Sequence, residues 1–280
     1  VPARPSPKKS TQPPNSSFEL ARLRAAIKPF RLHWFPRLRS TSDHAAVLRR
    51  RGSLFAPAIV LTGHQTAGRG RGAHSWWSDP GCLTVTFALP LPESNRPQEV
   101  PLMAGLAVRS AVADLLGKGN IRLKWPNDIL AGERKLAGLL CERVNKADLV
   151  GLGLNVNVDP AAAPRDLQQR ITSLSHLAGH PLDMTDVLIA ITAAMRQMLR
   201  RRSEQSFASF VHEYRTHHAL TGRRVTVLPD QMNDGAVALT GRCEGIDDTG
   251  RLLLRCRDGL HRIISGQIAA HIPPARSQPI

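Results

Sequence analysis

Three segments of the chain carry residue types that could handle phosphate or an acyl group. The first is Gly63-His64-Gln65-Thr66-Ala67-Gly68-Arg69-Gly70-Arg71-Gly72, placed directly after an apolar run. Glycines let a backbone approach a ligand closely, and paired arginines neutralise phosphate. Taken alone, the same stretch reads equally as a flexible loop or an RNA-binding segment. The second is Lys124-Trp125-Pro126-Asn127-Asp128, followed by Lys135-Leu136-Ala137-Gly138-Leu139-Leu140. Lys124 ends a strand, Pro126 forces a turn and Lys135 opens the next strand, which gives a hairpin with its polar residues in the loop. Asn-Asp is also a common turn filler, and Lys135 also reads as a solvated edge charge. The third is Gly151-Leu152-Gly153-Leu154-Asn155-Val156-Asn157. It lacks the third glycine and the following helix of a dinucleotide fingerprint.

The elements that must position these segments mix helix and strand. Helical spacing covers Phe18–Lys28, Asp43–Arg51, Leu102–Leu116, the run from Val187 to Leu199, and about Glu204 to His218. Strands are expected at Arg31–Leu38, Ala58–Thr62, Leu83–Leu89, Ile121–Trp125, Leu136–Val144 and Leu149–Val156. Leu83, Val85, Phe87 and Leu89 alternate with Thr84, Thr86 and Ala88, the period of a half-buried strand. From Thr221 to Ala270 only short strands and turn signals follow: Arg224–Leu228, Ala236–Glu244, Arg251–Cys256 and His261–Ser265. Such a stretch reads as a small β-barrel. The expected organisation is a Pro/Lys-rich disordered tail over 1–16, a main domain over 17–220, the barrel over 221–272 and a tail over 273–280.

Composition narrows the classes. Hydrophobic residues are 42% and charged residues 21% of 280, enough apolar material for a sizeable core. No apolar run is long enough to span a membrane. The net charge is +16, but residues 1–51 hold 12 basic residues against 2 acidic, so the remainder is only mildly basic. Aromatic residues are 4%, which leaves few platforms for stacking bases and weakens a nucleic-acid-binding reading built on that charge and on Arg49-Arg50-Arg51. Cys82, Cys141, Cys243 and Cys256 form no Cys-x-x-Cys or zinc spacing. Reduced thiols and the absence of an apolar signal core point to the cytoplasm.

In this order, the three segments resemble the biotin protein ligase family, also called biotin–[acetyl-CoA-carboxylase] ligase. The matching pieces are the Gly-Arg-Gly-Arg loop after Gln65-Thr66-Ala67, then Lys124 to Asp128, Lys135 to Leu140, and the Gly151-x-Gly153-x-Asn155 strand. Ser40-Thr41-Ser42 matches a Ser-Thr-Asn-type motif upstream, and Gly245 to Leu254 looks like the terminal barrel. The fold class this resemblance implies is α+β: a mixed sheet with flanking helices, as in class II synthetase-like catalytic domains, plus the small C-terminal β-barrel. No N-terminal DNA-binding domain and no specific DNA partner are expected. A lipoate or octanoate ligase or transferase of the same fold is the nearest alternative.

The resemblance implies residue roles. Ser40, Thr41, Ser42, Gln65 and Gly138 match biotin-binding positions. Arg69, Gly70 and Arg71 match the loop that closes over biotin and its adenylate. Lys135 matches the lysine between biotin's carboxylate and the nucleotide phosphate, so Lys135, Arg69 and Arg71 are the expected catalytic cations. Gly68, Arg71, Trp76, Asn127 and Asn155 match positions near the nucleotide. ATP and biotin are the implied substrates, Mg²⁺ the implied ion with no ligands assigned, and a biotin carboxyl carrier domain of a carboxylase the implied partner. A homodimer is compatible with the resemblance. Gly72-Ala73 departs from the family's loop ending, Arg39 from the acidic or small residue before the Ser-Thr pair, and Ser42 from the common Asn.

Overall fold

A computed structural model describes residues 18–91, 96–117, 119–230 and 237–272. The expected tails over 1–16 and 273–280 lie outside the described residues. The chain enters through α1 (Leu20–Ala26) and β1 (Arg31–Leu38). It crosses by α2 (Thr41–Arg50) to β2 (Ala58–Gln65), and forms a small hairpin from β3 (Gly68–Arg69) and β4 (Ser75–Trp76) before β5 (Cys82–Pro90). After α3 (Glu99–Leu115) comes an antiparallel run of β6 (Ile121–Lys124), β7 (Asp128–Ala131), β8 (Arg134–Val144) and β9 (Ala147–Asn155). Two short helices, α4 (Arg165–Gln168) and α5 (Leu174–Ala178), precede the longer α6 (Met184–Glu204) and α7 (Phe207–His217).

The main sheet has seven strands in the order β1-β2-β5-β9-β8-β7-β6. Only β1 and β2 run parallel, because α2 makes a crossover between them; the other pairs are antiparallel. Helix α2 starts where the Ser40 hydroxyl accepts a bond from the Asp43 amide at 3.2 Å, a side-chain cap. It packs on β2, β5 and β9, over a small cluster that includes Ala45, Ala46, Val60 and Leu149. Helix α3 packs against α6 and α7 and against β6 to β9. The larger core cluster joins Leu61, Phe87, Leu106, Leu152, Ile191 and Met195.

The C-terminal residues form a five-stranded antiparallel sheet from β10 (Arg224–Leu228), β11 (Leu239–Ile246), β12 (Leu252–Cys256), β13 (Gly259–Ile263) and β14 (Gln267–Ile272). Its order is β13-β12-β11-β10-β14, so β13 and β14 are the two edges and no pairing closes the ring among the described residues. Asp247 builds the β11–β12 turn by accepting from the Thr249 amide (2.9 Å), the Thr249 hydroxyl (2.8 Å) and the Arg251 amide (3.0 Å). The sheet shares the main core: Val225, Cys243, Leu252 and Leu254 belong to the same cluster as α3 and α6. The buried Trp125 indole donates to the Gly250 carbonyl at 3.1 Å, and the Ala219 amide to the Leu123 carbonyl at 2.8 Å.

Several expectations need correction. The hairpin expected between Lys124 and Lys135 is a three-stranded meander, because Asp128–Ala131 forms β7 between β6 and β8. The strand read as half-buried is buried throughout from Cys82 to Leu89, because α2 covers its second face. The second helix, expected from about Glu204 to His218, is α7 and starts three residues later at Phe207, because α6 runs on to Glu204. Of the strand expected at Ala236–Glu244, Ala236 lies outside the described residues, and β11 begins at Leu239.

Candidate active site

The N-terminal turn of α2 meets the end of β2 and the middle of β5 in a buried polar cluster. Ser40, Thr41, Ser42, Gln65 and Thr86 are all less than a tenth exposed. The Thr41 amide donates to Gln65 Oε1 at 2.9 Å and the Thr86 hydroxyl donates to Thr41 Oγ1 at 2.9 Å. Ser42 Oγ lies 3.2 Å from Thr86 Oγ1. Buried hydroxyls and amides are stable only when bonded, so this network fixes each side chain. It also leaves donors and acceptors, such as the Gln65 amide nitrogen, that can bond a flat polar ligand. Thr86 was missed by sequence reading: a threonine in an apolar alternation gives no chemical signal until its face is known.

The two glycines of the third segment have a packing role. A Cβ on Gly151 would collide with Ser42 Oγ, and one on Gly153 would collide with the Trp76 indole. On the adjacent strand, a Cβ on Gly138 would lie 3.1 Å from Lys135 Nζ and 3.3 Å from Trp76 Cζ3. Bare backbone at these positions of β8 and β9 gives Trp76 and Lys135 room to lie across the sheet. The Trp76 indole N–H donates to Cys82 Sγ at 3.4 Å, and burial above all pushes that thiol up to about 12. Lys135 Nζ stands 5.5 Å from the Trp76 ring centroid, within cation–π range.

Each expected catalytic cation has an acidic partner. Lys135 Nζ is 2.7 Å from Asp128 Oδ1; across the β7–β8 bulge Lys135 pairs with Leu130 and Asp128 with Gly138. Arg69 bonds Asp43 and, at 2.9 Å, Glu142; these bonds, the Glu142 one first, raise its guanidinium above the ordinary value. Arg71 bonds Asp230 at 2.8 Å and the Gly266 carbonyl at 3.1 Å. Lys124 also belongs here: burial depresses its ammonium, partly offset by Asp128, with Lys135 and Arg170 adding to the depression. The three expected cations are therefore not gathered at one point. Glu142 is seven residues along β8 from Lys135, roughly 23 Å of strand.

The two expected nucleotide-side asparagines spend their amide N–H groups on backbone. Asn127 donates to the Leu139 carbonyl at 2.6 Å, and buried Asn155 donates to the Thr172 carbonyl at 3.0 Å. Gln65, Gly68, Trp76, Trp77 and the α4 residues Asp166 and Leu167 line an open cleft of about 380 Å³ beside the polar cluster. Gly70 faces His74 across the small hairpin, its amide bonding the His74 carbonyl at 2.8 Å. Away from this site, Cys256, Asp258 and His261 have donor atoms within 4.8 Å of one another at the β12–β13 turn, a grouping invisible to Cys-x-x-Cys spacing.

A mixed sheet that carries such a cluster under a Gly-Arg loop defines a class: the profile of the Biotin/lipoate A/B protein ligase family matches residues 34–159. A second profile, the Biotin protein ligase C terminal domain, matches residues 221–269. The Biotin--[acetyl-CoA-carboxylase] ligase of Mycobacterium tuberculosis is 33% identical over 209 residues, 70% of this chain and 72% of that protein. The Bifunctional ligase/repressor BirA of Bacillus subtilis is 30% identical over 75% of this chain, and the match spans only 65% of that protein's length. A solved structure, biotin protein ligase from Aquifex aeolicus in complex with biotin and ATP, aligns with a TM-score of 0.75 at 28% identity, over 85% of this chain and 97% of that one. The chain belongs to the biotin protein ligase family.

Proposed function

We propose that this protein activates biotin with ATP and transfers it to a lysine of a biotin carboxyl carrier domain. The observation that carries the reading is the fixed hydroxyl–amide cluster of Ser40, Thr41, Ser42, Gln65 and Thr86 beside the Lys135–Asp128 pair. The cluster suits the polar fused rings of biotin, and Lys135 suits the point where a carboxylate meets a phosphate.

In the first half-reaction a biotin carboxylate oxygen attacks the α-phosphorus of ATP, and pyrophosphate leaves with the electrons of the broken P–O bond. The carboxylate is already ionised at neutral pH, so no base is needed. Positive charge must be aimed where phosphate charge develops, and Lys135 supplies it in a site roofed by Trp76. Arg69 and Arg71 supply more once each exchanges its carboxylate for phosphate oxygens. In the second half-reaction the carrier lysine attacks the acyl carbon of biotinyl-5′-AMP and AMP leaves. That amine must lose a proton, and Asp128, ion-paired with Lys135, is the candidate to accept it.

The donor set for Mg²⁺ is thin: among the described residues Asp128 is the carboxylate ion-paired with Lys135, and that bond occupies it, which fits an ion that would come with ATP's own phosphate oxygens. The C-terminal sheet is read as the family's small barrel, the domains as 17–220 and 221–272, and the compartment as the cytoplasm, with four thiols and no disulfide. The reading does not extend to specific DNA recognition, and a homodimer is compatible with it.

The test is exchange of labelled pyrophosphate into ATP. Biotin-dependent exchange is expected. Exchange driven by lipoate or octanoate and not by biotin would transfer the assignment to the other branch of the matched family.

A further inference from the structure

The tip of the β3–β4 hairpin is not free. Its turn is closed by the Gly70 amide on the His74 carbonyl (2.8 Å) and the His74 amide on the Arg71 carbonyl (3.2 Å). From that turn two side chains reach the C-terminal sheet, 159 to 195 residues away. Arg71 Nη2 donates to Asp230 Oδ2 at 2.8 Å, and Arg71 Nη1 donates to the Gly266 carbonyl at 3.1 Å. His74 Nε2 lies 3.0 Å from Gln267 Oε1. Asp230 follows the end of β10, while Gly266 precedes β14 and Gln267 opens it, and Leu228 pairs with Gln267 in register. The receiving groups thus sit together at one end of one strand pair.

The receiving end is built for the contact. Gly266 has φ +155, and a Cβ there would lie 2.7 Å from Val227 Cγ1 and 2.8 Å from the Leu228 carbonyl. Glycine lets the carbonyl of residue 266 reach the guanidinium while β14 stays tight on β10. The Arg71–Asp230 pair is about two-thirds shielded on each side, 28% and 35% exposed. One guanidinium gives two bonds, from two different nitrogens of its planar fork, to two groups of one surface, where a lysine would offer a single point charge.

We propose that Asp230, Gly266 and Gln267 form a clamp on the C-terminal sheet that positions the Gly-Arg loop, with Asp230 as the carboxylate that Arg71 must leave to reach phosphate. The second part rests on the biotin-ligase reading. Its geometry is simple. The hairpin runs along β8 away from Lys135: Trp76 lies over Gly138, Arg69 bonds Glu142, and Arg71 lies beyond, at the tip. A guanidinium held on Asp230 therefore cannot also serve a phosphate beside Lys135. ATP binding and clamp release become linked, and Asp230 sets how strongly ATP must compete.

The experiment compares the full-length protein with Asp230→Asn, Asp230→Glu and Gln267→Ala. Hydrogen exchange over residues 68–76, measured without added ligand, is expected to quicken about tenfold in Asp230→Asn, equivalent to about 1.4 kcal/mol of lost clamp. It should quicken by a smaller factor in Gln267→Ala and stay at the wild-type rate in Asp230→Glu. The KM for ATP should fall severalfold in Asp230→Asn and return to the wild-type value in Asp230→Glu, a split that a merely structural surface aspartate would not produce. Wild-type exchange in both Asp230→Asn and Gln267→Ala would overturn the clamp. A raised KM for ATP would overturn the competition and make Asp230 a residue that holds Arg71 in its working position. Quickened loop exchange in a protein with no biotin-dependent pyrophosphate exchange would uphold the clamp and sink the functional reading instead.

Discussion

At the scale of single residues, the site is governed by what each cation and each bare backbone position touches. Lys135 is 35% exposed and Asp128 20%, so their 2.7 Å contact is only partly screened. The pair holds the lysine across Gly138 and under Trp76. Replacing Lys135 by alanine leaves Asp128 without this partner and removes the positive charge from the proposed point of phosphate chemistry. Adenylation by Lys135→Ala should fall by about 10²–10³, the usual cost of losing one preorganised electrostatic contact, with the circular dichroism unchanged. A folded variant that adenylates biotin at the wild-type rate would reduce Lys135 to a strand-edge charge. Gly138, Gly151 and Gly153 act through absence: each removes a Cβ that would occupy the space of Lys135, Ser42 or Trp76. The Gly-x-Gly pattern of β9 is therefore a packing requirement and has no connection with a dinucleotide loop.

At the scale of elements, the joint between α7 and the sheet concentrates an acid-sensitive group. His218 follows α7 and is 1% exposed. Its Nδ1 lies 3.1 Å from Thr221 Oγ1, Nε2 is buried with no hydrogen-bond partner among the described residues, and its ring faces Tyr214 at 5.4 Å. Burial, and then the charge of Arg122, lower the imidazole from 6.5 to about 3. The unfolded chain therefore binds one more proton than the folded one between these values. Stability contributed by neutral His218 is complete above the unfolded value and is lost as pH falls from about 6.5 toward 3, with a limiting slope of about 1.4 kcal/mol per pH unit. Urea midpoints measured at about pH 7 and about pH 5 should diverge for the wild type and converge in His218→Gln, which keeps a hydrogen-bonding side chain without the titration. Equal pH dependence in both proteins would place the acid-sensitive group elsewhere.

At the scale of the whole molecule, the C-terminal sheet and the main sheet share a core and a set of backbone contacts. Gly250 is one of these. It adopts φ +81, its carbonyl accepts the Trp125 indole bond, and a Cβ there would lie 2.6 Å from Leu102 Cδ1 on α3. Gly250→Ala meets both a left-handed backbone cost and an overpacked contact, together about 2–4 kcal/mol. Because Leu252 and Leu254 lie in the same cluster as α3, the loss should appear as one cooperative transition at lower temperature by calorimetry. Two separate transitions, with only one of them moved, would show that the sheets unfold independently.

The order of the motifs, the strands that carry them and the small β-rich end were legible in the sequence, because period-2 alternation, turn residues and glycine–arginine chemistry are local properties. The extra strand β7 was not, since four residues between two turns give too short a pattern to read. Nor was the burial of both faces of β5, which depends on where α2 lands. What only the tertiary structure decided is which groups meet. Arg69 finds Asp43 and Glu142, 26 and 73 residues away, and Arg71 finds Asp230, 159 residues away. Thr86 joins Thr41 across 45 residues because α2 lies on β5. Such pairings follow from strand order and helix placement, which are set by burial of the whole core, so no local window of the chain contains them.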